Sequence, residues 1–400
     1  MSRVVTVVGA LWGDEGKGKF VDYMCKEVEA DVAVRYSGGS NAGHTIKLKD
    51  GKSMTFRLLP TGSVRPGVKA VLGSGMVIDP DVLVEEIEKA KEINPEFDLL
   101  IDFRAHIILP SHREVDSRRE VARENKIGTT KSGIGVAYSD KANRVGMRMV
   151  ELLRSAESAF EETTKLAKEI HGSEDIVSLE RVEKWKDKLS KYIGDGSRFI
   201  NDEIDNGKNI VFAGAQGAML DIDYGTYPFV TSTTCLPCGV GSGAGVDPRK
   251  VGEVIGVVKA YCTRIGEGTF PTEIFNQDTV DIIRKKGNEY EHGVYIDRPR
   301  RIGWLDAEAL ELSARVGGYD WLAVTMLDIL GELDEICIPG RGVFSGWDTN
   351  IGNAESVHDL PVSLLRYLSE IEDIAGCRVG FISTGSRTDQ VIDIRGLHAW

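Results

Sequence analysis

Gly9-Ala-Leu-Trp-Gly-Asp-Glu-Gly-Lys-Gly-Lys19 concentrates glycines, carboxylates and lysines in one short stretch. Glycine-rich turns of this kind point backbone N–H groups and a helix N-terminus at a single place, which suits a phosphate. From Gly13 the stretch nearly spells the Walker pattern G-x-x-x-x-G-K-[ST], with Gly13, Gly18 and Lys19 in place. Phe20 stands where a hydroxyl would hold magnesium. Either the match is accidental or another residue holds the metal, and Asp14 is the substitute within the loop. Lys17 and Lys19 can neutralise charge on a transferred phosphoryl group. A second glycine-rich loop, Ser37 to Thr45, carries one imidazole, His44. Further along, Thr325-Met-Leu-Asp328 puts a carboxylate after a strand, where it can accept from both N1–H and the 2-amino group of guanine. The same pattern also serves as a helix cap. Ser383-Thr-Gly385, in another loop at a strand end, would complete a base pocket. Arg298, Arg300 and Arg301 form a dense positive cluster and read as a clamp for carboxylate or phosphate. Lys141 and Arg144, after the paired hydroxyls Thr129 and Thr130, could serve a second phosphate. His112 and Asp116, four apart on a helix, read as a solvated pair.

These residues need elements to position them. Val4–Val8 is an apolar β-branched run, and Phe20–Val28 has helical spacing, so the first loop joins a strand to a helix. Strands are expected at Asp31–Tyr36, Thr55–Leu59, Val68–Leu72, Asn209–Ala213, Trp321–Thr325 and Val379–Ile382, with apolar runs at Leu99–Leu109 and Val251–Tyr261. Asp79-Pro80 opens a helix with a cap residue and a proline in the first turn. Further helices are expected at Ser111–Ala122, Asp306–Val316 and Leu360–Ile374. Residues 150–193 read as two polar helices, broken at His171-Gly172, that cover the main body. Alternating strands and helices describe an α/β fold: one large, mostly parallel sheet with flanking helices and P-loop-like nucleotide-binding architecture. No linker or repeat divides residues 1–400, which read as a single unit, and ligands belong at the carboxyl ends of its strands.

Composition bounds the partners. A net charge of −13 argues against a general nucleic-acid binder, while anionic small substrates stay open if cations gather locally. No apolar run reaches membrane-spanning length, and the chain enters a strand directly instead of a signal peptide, so the expected compartment is the cytoplasm. Six cysteines in 400 residues do not form a disulfide framework. Cys235-Leu-Pro-Cys238 is the one C-x-x-C, without a second pair for zinc.

Several stretches together resemble the adenylosuccinate synthetase family. They are Trp12–Lys19, Gly38-Gly-Ser-Asn-Ala-Gly-His-Thr45, Ile127-Gly-Thr-Thr130, Gly214-Ala-Gln-Gly217, Asp221–Thr231, Phe270-Pro-Thr-Glu273, Arg300–Asp306 and Ser383–Gly385, in family order along nearly the whole chain. The resemblance implies a homodimeric carbon–nitrogen ligase of purine biosynthesis. GTP phosphorylates O6 of IMP, and the amino group of L-aspartate then displaces phosphate from C6 to give adenylosuccinate. Asp14 matches both the base that takes the N1 proton of IMP and a ligand of Mg2+, with the Gly43 carbonyl as a second ligand. His44 matches the acid facing the departing phosphate, and Lys17 the neutralising amine. Asn41, Thr130, Gln216, Thr231 and Arg298 match IMP contacts, and Arg144 a phosphate contact made across the dimer. The GTP side falls to Gly13, Glu15, Gly16, Gly18, Lys19, Thr45 and Arg300, with Asp328, Ser383 and Gly385 around guanine.

The chain departs from the family pattern at the loop expected to close on aspartate, Tyr295-Ile296-Asp297-Arg298, where Thr-Thr-Gly usually precedes the arginine. Ser132 stands where many members have arginine, Met326 replaces a guanine-stacking lysine, and Leu11 replaces a frequent glutamine. These changes open an alternative of the same reaction type with a shifted substrate: a 2-amino purine nucleotide such as dGMP, ATP as donor, or another amino donor. A GTP-binding switch without ligase activity is the alternative of a different class.

Overall fold

The run Val4-Val5-Thr6-Val7-Val8 lacks polar alternation because both faces of its strand are covered. Val5, Val7 and Val8 are buried, and the one hydroxyl, of Thr6, donates to the Val251 carbonyl at 2.7 Å. A strand buried on both sides belongs inside a parallel sheet. The computed structural model describes residues 2–47, 51, 53–287 and 300–398. Its centre is a ten-stranded sheet. In chain order the strands are β1 (Val4–Gly9), β2 (Val32–Arg35), β3 (Lys69–Leu72), β4 (Asp98–Asp102), β5 (Ile193–Gly194), β6 (Ile210–Gly217), β7 (Glu253–Lys259), β8 (Trp321–Thr325), β9 (Val379–Ser383) and β10 (Val391–Asp393). Across the sheet they run β10-β9-β8-β7-β1-β6-β2-β3-β4-β5. Every pairing is parallel except β9 with β10. From β1 the chain crosses to one side of the sheet through β2, and later elements return on the other through β7. The carboxyl end of β1 therefore lies at a crevice where such sheets bind ligands.

The helix after the first loop, α1 (Lys17–Glu27), lies against one sheet face. Phe20, Val21, Met24 and Cys25 are buried with Val5, Val7, Ala213, Val257 and Phe381. Phe20 meets Phe381 edge-on at 6.0 Å between ring centroids. The residue at the Walker hydroxyl position is thus a core side chain pointing away from the loop's concave face.

Helix α2 (Pro80–Ile93) begins as expected: Asp79 accepts from the amides of Asp81 and Val82, with Pro80 in the first turn. The apolar run 99–109 divides into β4 and a two-residue strand, His106–Ile107. The expected strand at 55–59 is shorter and earlier, Ser53–Phe56, and pairs antiparallel with His44–Lys47, which places His44 at the base of a hairpin opposite Phe56. Helices α3 (Pro110–Ala122) and α4 (Ile134–Asn143) flank the 127–133 loop. The cover comprises α5 (Ala156–Lys165), a further turn to Ile170, and α6 (Leu179–Leu189), whose Val182, Trp185 and Leu189 share a core with Leu83, Val84 and Ile87 of α2.

His112 does not pair with Asp116. It is buried, and its Nε2 lies 3.1 Å from Asp140 Oδ2 on α4. His171, at the break in the cover, brings its own Nε2 to 2.7 Å from the same oxygen and Nδ1 to 2.9 Å from Ser111 Oγ. Helical periodicity placed His112 and Asp116 on one face, whereas packing turned His112 inward. This cluster ties α3, α4 and the cover together behind the 127–133 loop. The two imidazoles hold the Asp140 carboxyl well below its ordinary 3.8, although burial opposes them. Burial also lowers His112 from 6.5. Both folded values lie below the unfolded ones, so the unfolded chain binds more protons and stability falls as pH falls. The His112 contribution declines below about 6.5 and that of Asp140 below about 4. Asp140→Asn is expected to cost about 1–3 kcal/mol at pH 8 and to flatten the limb of stability that falls below about pH 4, read in urea titrations between pH 5 and 2. An unchanged acid limb would refute the assignment.

Candidate active site

The loop after β1 is built around a buried carboxylate. Glu15 is fully buried; its Oε1 accepts from the amides of Leu11 at 3.0 Å and Gly13 at 2.7 Å, and its Oε2 lies 2.6 Å from Lys17 Nζ. The Thr325 hydroxyl donates to the Glu15 carbonyl at 2.8 Å, fastening the loop to the end of β8. With Glu15 turned inward, Asp14 is presented to the cleft from a left-handed backbone conformation, φ 59°, which Asp tolerates better than most side chains. Arg300 Nε stands 2.9 Å from Asp14 Oδ2.

The second loop leaves β2. Arg35 is fully buried; it donates to the carbonyls of Arg57 at 2.5 Å and Gly39 at 3.3 Å, and its Nη1 lies 3.5 Å from His44 Nδ1. With Nδ1 facing a donor, the neutral ring carries its proton on Nε2. Burial, then Arg35 and Lys17, pull His44 well below 6.5, so the imidazole of the free protein is neutral at neutral pH. The two loops touch because Gly18 has no side chain: a Cβ there would lie 3.1 Å from His44 Cβ and 3.3 Å from Thr61.

A cleft of about 720 Å3 runs between these loops. Its walls include Gly13, Asp14, Gly16, Lys17, Gly18, Asn41, Gly43, His44, Thr45, Thr130, Gln216, Thr231 and Arg300, so most residues expected of the site meet in one place. Gln216, also left-handed at φ 55°, donates through Nε2 to Asn41 Oδ1 at 3.3 Å and keeps Oε1 buried without a partner. Asp221 explains the 221–235 segment: fully buried, it accepts from the amides of Asp223, Tyr224 and Cys235, and so holds the turn that presents Thr231. Glu120 of α3 likewise accepts from the amides of Ile127 and Gly128 to steady the loop before Thr130.

A second cavity of about 490 Å3 opens beyond the ends of β8 and β9, lined by Lys286, Asp328, Asn350, Thr384, Gly385 and Arg387 among others. Burial raises the Asp328 carboxyl, with Lys19 and Lys286 opposing.

Some expected residues lie elsewhere. Lys19 lines neither cavity; its amine contacts Ser383 Oγ at 2.7 Å and the carbonyls of Gly385 at 2.8 Å and Gln390 at 2.7 Å. Burial brings it down to about 7, against the pull of Asp328 and Asp389. Ser383 Oγ is committed to this contact. Arg144 is exposed at the end of α4, φ 65°, and does not line the cleft. Met326 faces the first cleft instead of the second, at φ 59°. Tyr295, Ile296, Asp297 and Arg298 lie outside the described residues. Lys286 and Arg387 of the second cavity, and Arg264 and Glu267 of the first, belong to no motif legible in the sequence. Lys286 sits in the basic turn Arg284-Lys-Lys286, whose density was the one available signal.

Asp14 and the Gly43 carbonyl are hard oxygen donors on the wall of one cleft, a donor set that suits a small divalent cation shared with phosphate oxygens. His112, Asp140 and His171 form the one cluster with metal-like spacing among the described residues. It does not fit: the Leu109 amide donates to His112 Nδ1 at 2.8 Å, which leaves the proton of the neutral ring on Nε2, the atom a metal would need. All six cysteines are free. Among the described residues no helix is long and apolar enough to cross a membrane.

A carboxylate, an imidazole and a lysine lining one cleft, with a separate pocket at a neighbouring strand end, suit passage of a phosphoryl group from a nucleotide to an acceptor. That places the chain among nucleotide-dependent enzymes of the α/β class. Comparison narrows the class to one family. Residues 6–341 and 337–392 match the model for adenylosuccinate synthetase, and the chain belongs to that family of ligases. Among curated relatives, the adenylosuccinate synthetase of Carboxydothermus hydrogenoformans is 41% identical over 425 residues, covering 97% of this chain and 98% of its own. That of Koribacter versatilis is 40% identical over 431 residues, covering 98% and 95%. The fully ligated adenylosuccinate synthetase of Plasmodium falciparum superposes with a TM-score of 0.91 at 34% identity, over 98% of this chain and all of that one. A cyanophage succinoaminodeoxyadenylate synthetase shares the fold, with a TM-score of 0.68 at 21% identity.

Proposed function

We infer that the protein joins L-aspartate to C6 of IMP at the expense of GTP, yielding adenylosuccinate, GDP and phosphate. The observation that carries this reading, beside family membership, is the meeting of Asp14 and His44 from separate loops over one cleft. Asp14 takes the N1 proton of IMP, so that O6 becomes nucleophilic and attacks the γ-phosphorus as GDP leaves. The aspartate amine then attacks C6, and phosphate departs with the O6 oxygen. His44 donates from Nε2 to the phosphoryl oxygens, and Lys17 neutralises their charge. For Asp14 to accept the proton, its pair with Arg300 opens as the triphosphate draws Arg300 away. Asn41, Thr130, Gln216, Thr231 and Arg298 hold IMP, and Gly13, Glu15, Gly16, Gly18 and Thr45 shape the triphosphate site. Asp328 and Gly385 read the guanine base in the second cavity. Mg2+, held by Asp14 and Gly43, supplies Lewis-acid neutralisation of the transferring group when bound. Residues 1–400 act as a single unit in a cytoplasmic homodimer, with Arg144 reaching the active site of the other subunit.

The test is phosphate release by the purified protein with Mg2+, crossing GTP or ATP with IMP, GMP or dGMP and with several amino acids. Release that requires GTP, IMP and aspartate together supports the reading. Release with nucleotide triphosphate alone would sink it, and a requirement for dGMP or another amino donor would redirect it.

A further inference from the structure

Lys19 occupies the position of a phosphate-loop lysine, yet its amine touches neither cavity. It is buried in the first turn of α1 and reaches across to the loop between β9 and β10, where three oxygens receive it: Ser383 Oγ, Gly385 O and Gln390 O. An ammonium has three hydrogens to donate, so this cage uses all of them. We propose that Lys19 is a positioning residue for nucleotide-base discrimination, tying the loop that walls the second cavity to the helix whose first turn faces the triphosphate.

The loop it holds is otherwise defined by bonds within itself and by two to neighbouring backbone, one of them from the Thr388 amide to Lys47 O at 3.0 Å. Ser383 Oγ lies 3.1 Å from Gly385 O, the Thr384 amide donates to Gln390 O at 3.1 Å, and the Gln390 side chain accepts from the Arg387 amide at 3.0 Å. Through Nε2 the same side chain donates to Gly352 O at 2.8 Å. Gly385 presses so closely on this side chain that a Cβ would fall 2.5 Å from Gln390 Oε1. Removing the ammonium leaves two carbonyls and a hydroxyl converging on an apolar gap. The loss of this charged donor, which bridges the Gly385 and Gln390 carbonyls to α1, loosens the wall formed by Thr384, Gly385 and Arg387. Lys17 and Gly18, which line the first cleft, are untouched by that change. The base contacts and the phosphate contacts are thus separable at this one residue.

The inference rests on the reading of the second cavity as the base site, and the experiment separates the two. Steady-state KM values for GTP, ATP and IMP are measured for the wild type, Lys19→Met and Ser383→Ala, with melting curves to check folding. Lys19→Met is expected to raise KM for GTP about 10- to 100-fold, collapsing the GTP-over-ATP preference while KM for IMP stays within about twofold. Ser383→Ala, which removes one acceptor of three and keeps the fold, is expected to erode the same ratio by a smaller factor. A wild type that uses GTP and ATP equally refutes the base-site reading. A wild type that discriminates, with either folded variant keeping the full ratio, overturns the role of Lys19 alone.

Discussion

Asp14→Asn is expected to lower kcat by on the order of 10^3- to 10^4-fold while leaving the melting temperature close to that of the wild type. Asparagine is the informative replacement because Asp14 sits at φ 59°, a region that Asn adopts almost as readily as Asp, whereas alanine would add about 1 kcal/mol of backbone strain. The amide keeps the shape but cannot take a proton from N1 of a purine and is a poor ligand for a hard cation. On the proposed mechanism two functions are lost at once, so the expected effect exceeds that of a general base alone. The loop itself survives, since its geometry depends on Glu15 and its contacts with Leu11, Gly13 and Lys17. The measurement is single-turnover phosphate release with IMP and GTP, alongside thermal unfolding. A variant with more than about a tenth of the wild-type rate would remove Asp14 from the chemistry.

The second large effect is at His44. His44→Asn is expected to reduce kcat by about 10^2- to 10^3-fold with KM for IMP nearly unchanged. The imidazole lies against Arg35 on one side and the first turn of α1 on the other. In the proposed reaction its Nε2–H is a neutral donor whose interaction strengthens only as charge develops on the transferring phosphoryl group. Loss of that interaction appears in kcat. An equal rise in KM without a fall in kcat would make His44 a binding residue only.

Much of the site was legible because its signals are local. A β-branched run followed by a glycine-rich loop needs no tertiary knowledge to be read as a strand, a turn and a helix, and the structure has the strand Val4–Gly9 and the helix Lys17–Glu27 on either side of that turn. The cap at Asp79 was similarly visible, since it satisfies amides within three residues. Asp14 as the replacement for the missing Walker hydroxyl was also a local inference. The structure supplies its complement: Phe20 is a core side chain against Phe381, from a strand some 360 residues away along the chain.

What sequence alone determined was therefore the α/β alternation, the loops at strand ends and the types of group that could do chemistry. Only the tertiary structure decided where each group points. Lys17 and Lys19 are two residues apart in one helix turn, yet the 100° rotation per residue sends them to different places. Lys17 faces Glu15 and the cleft, whereas Lys19 reaches into the cage at Ser383, Gly385 and Gln390. His112 shows the same limit, since its i to i+4 partner was Asp116 in the sequence but its partner in space is Asp140. Side chains buried far from any local partner are placed by which elements pack together, and that information is spread over the whole chain.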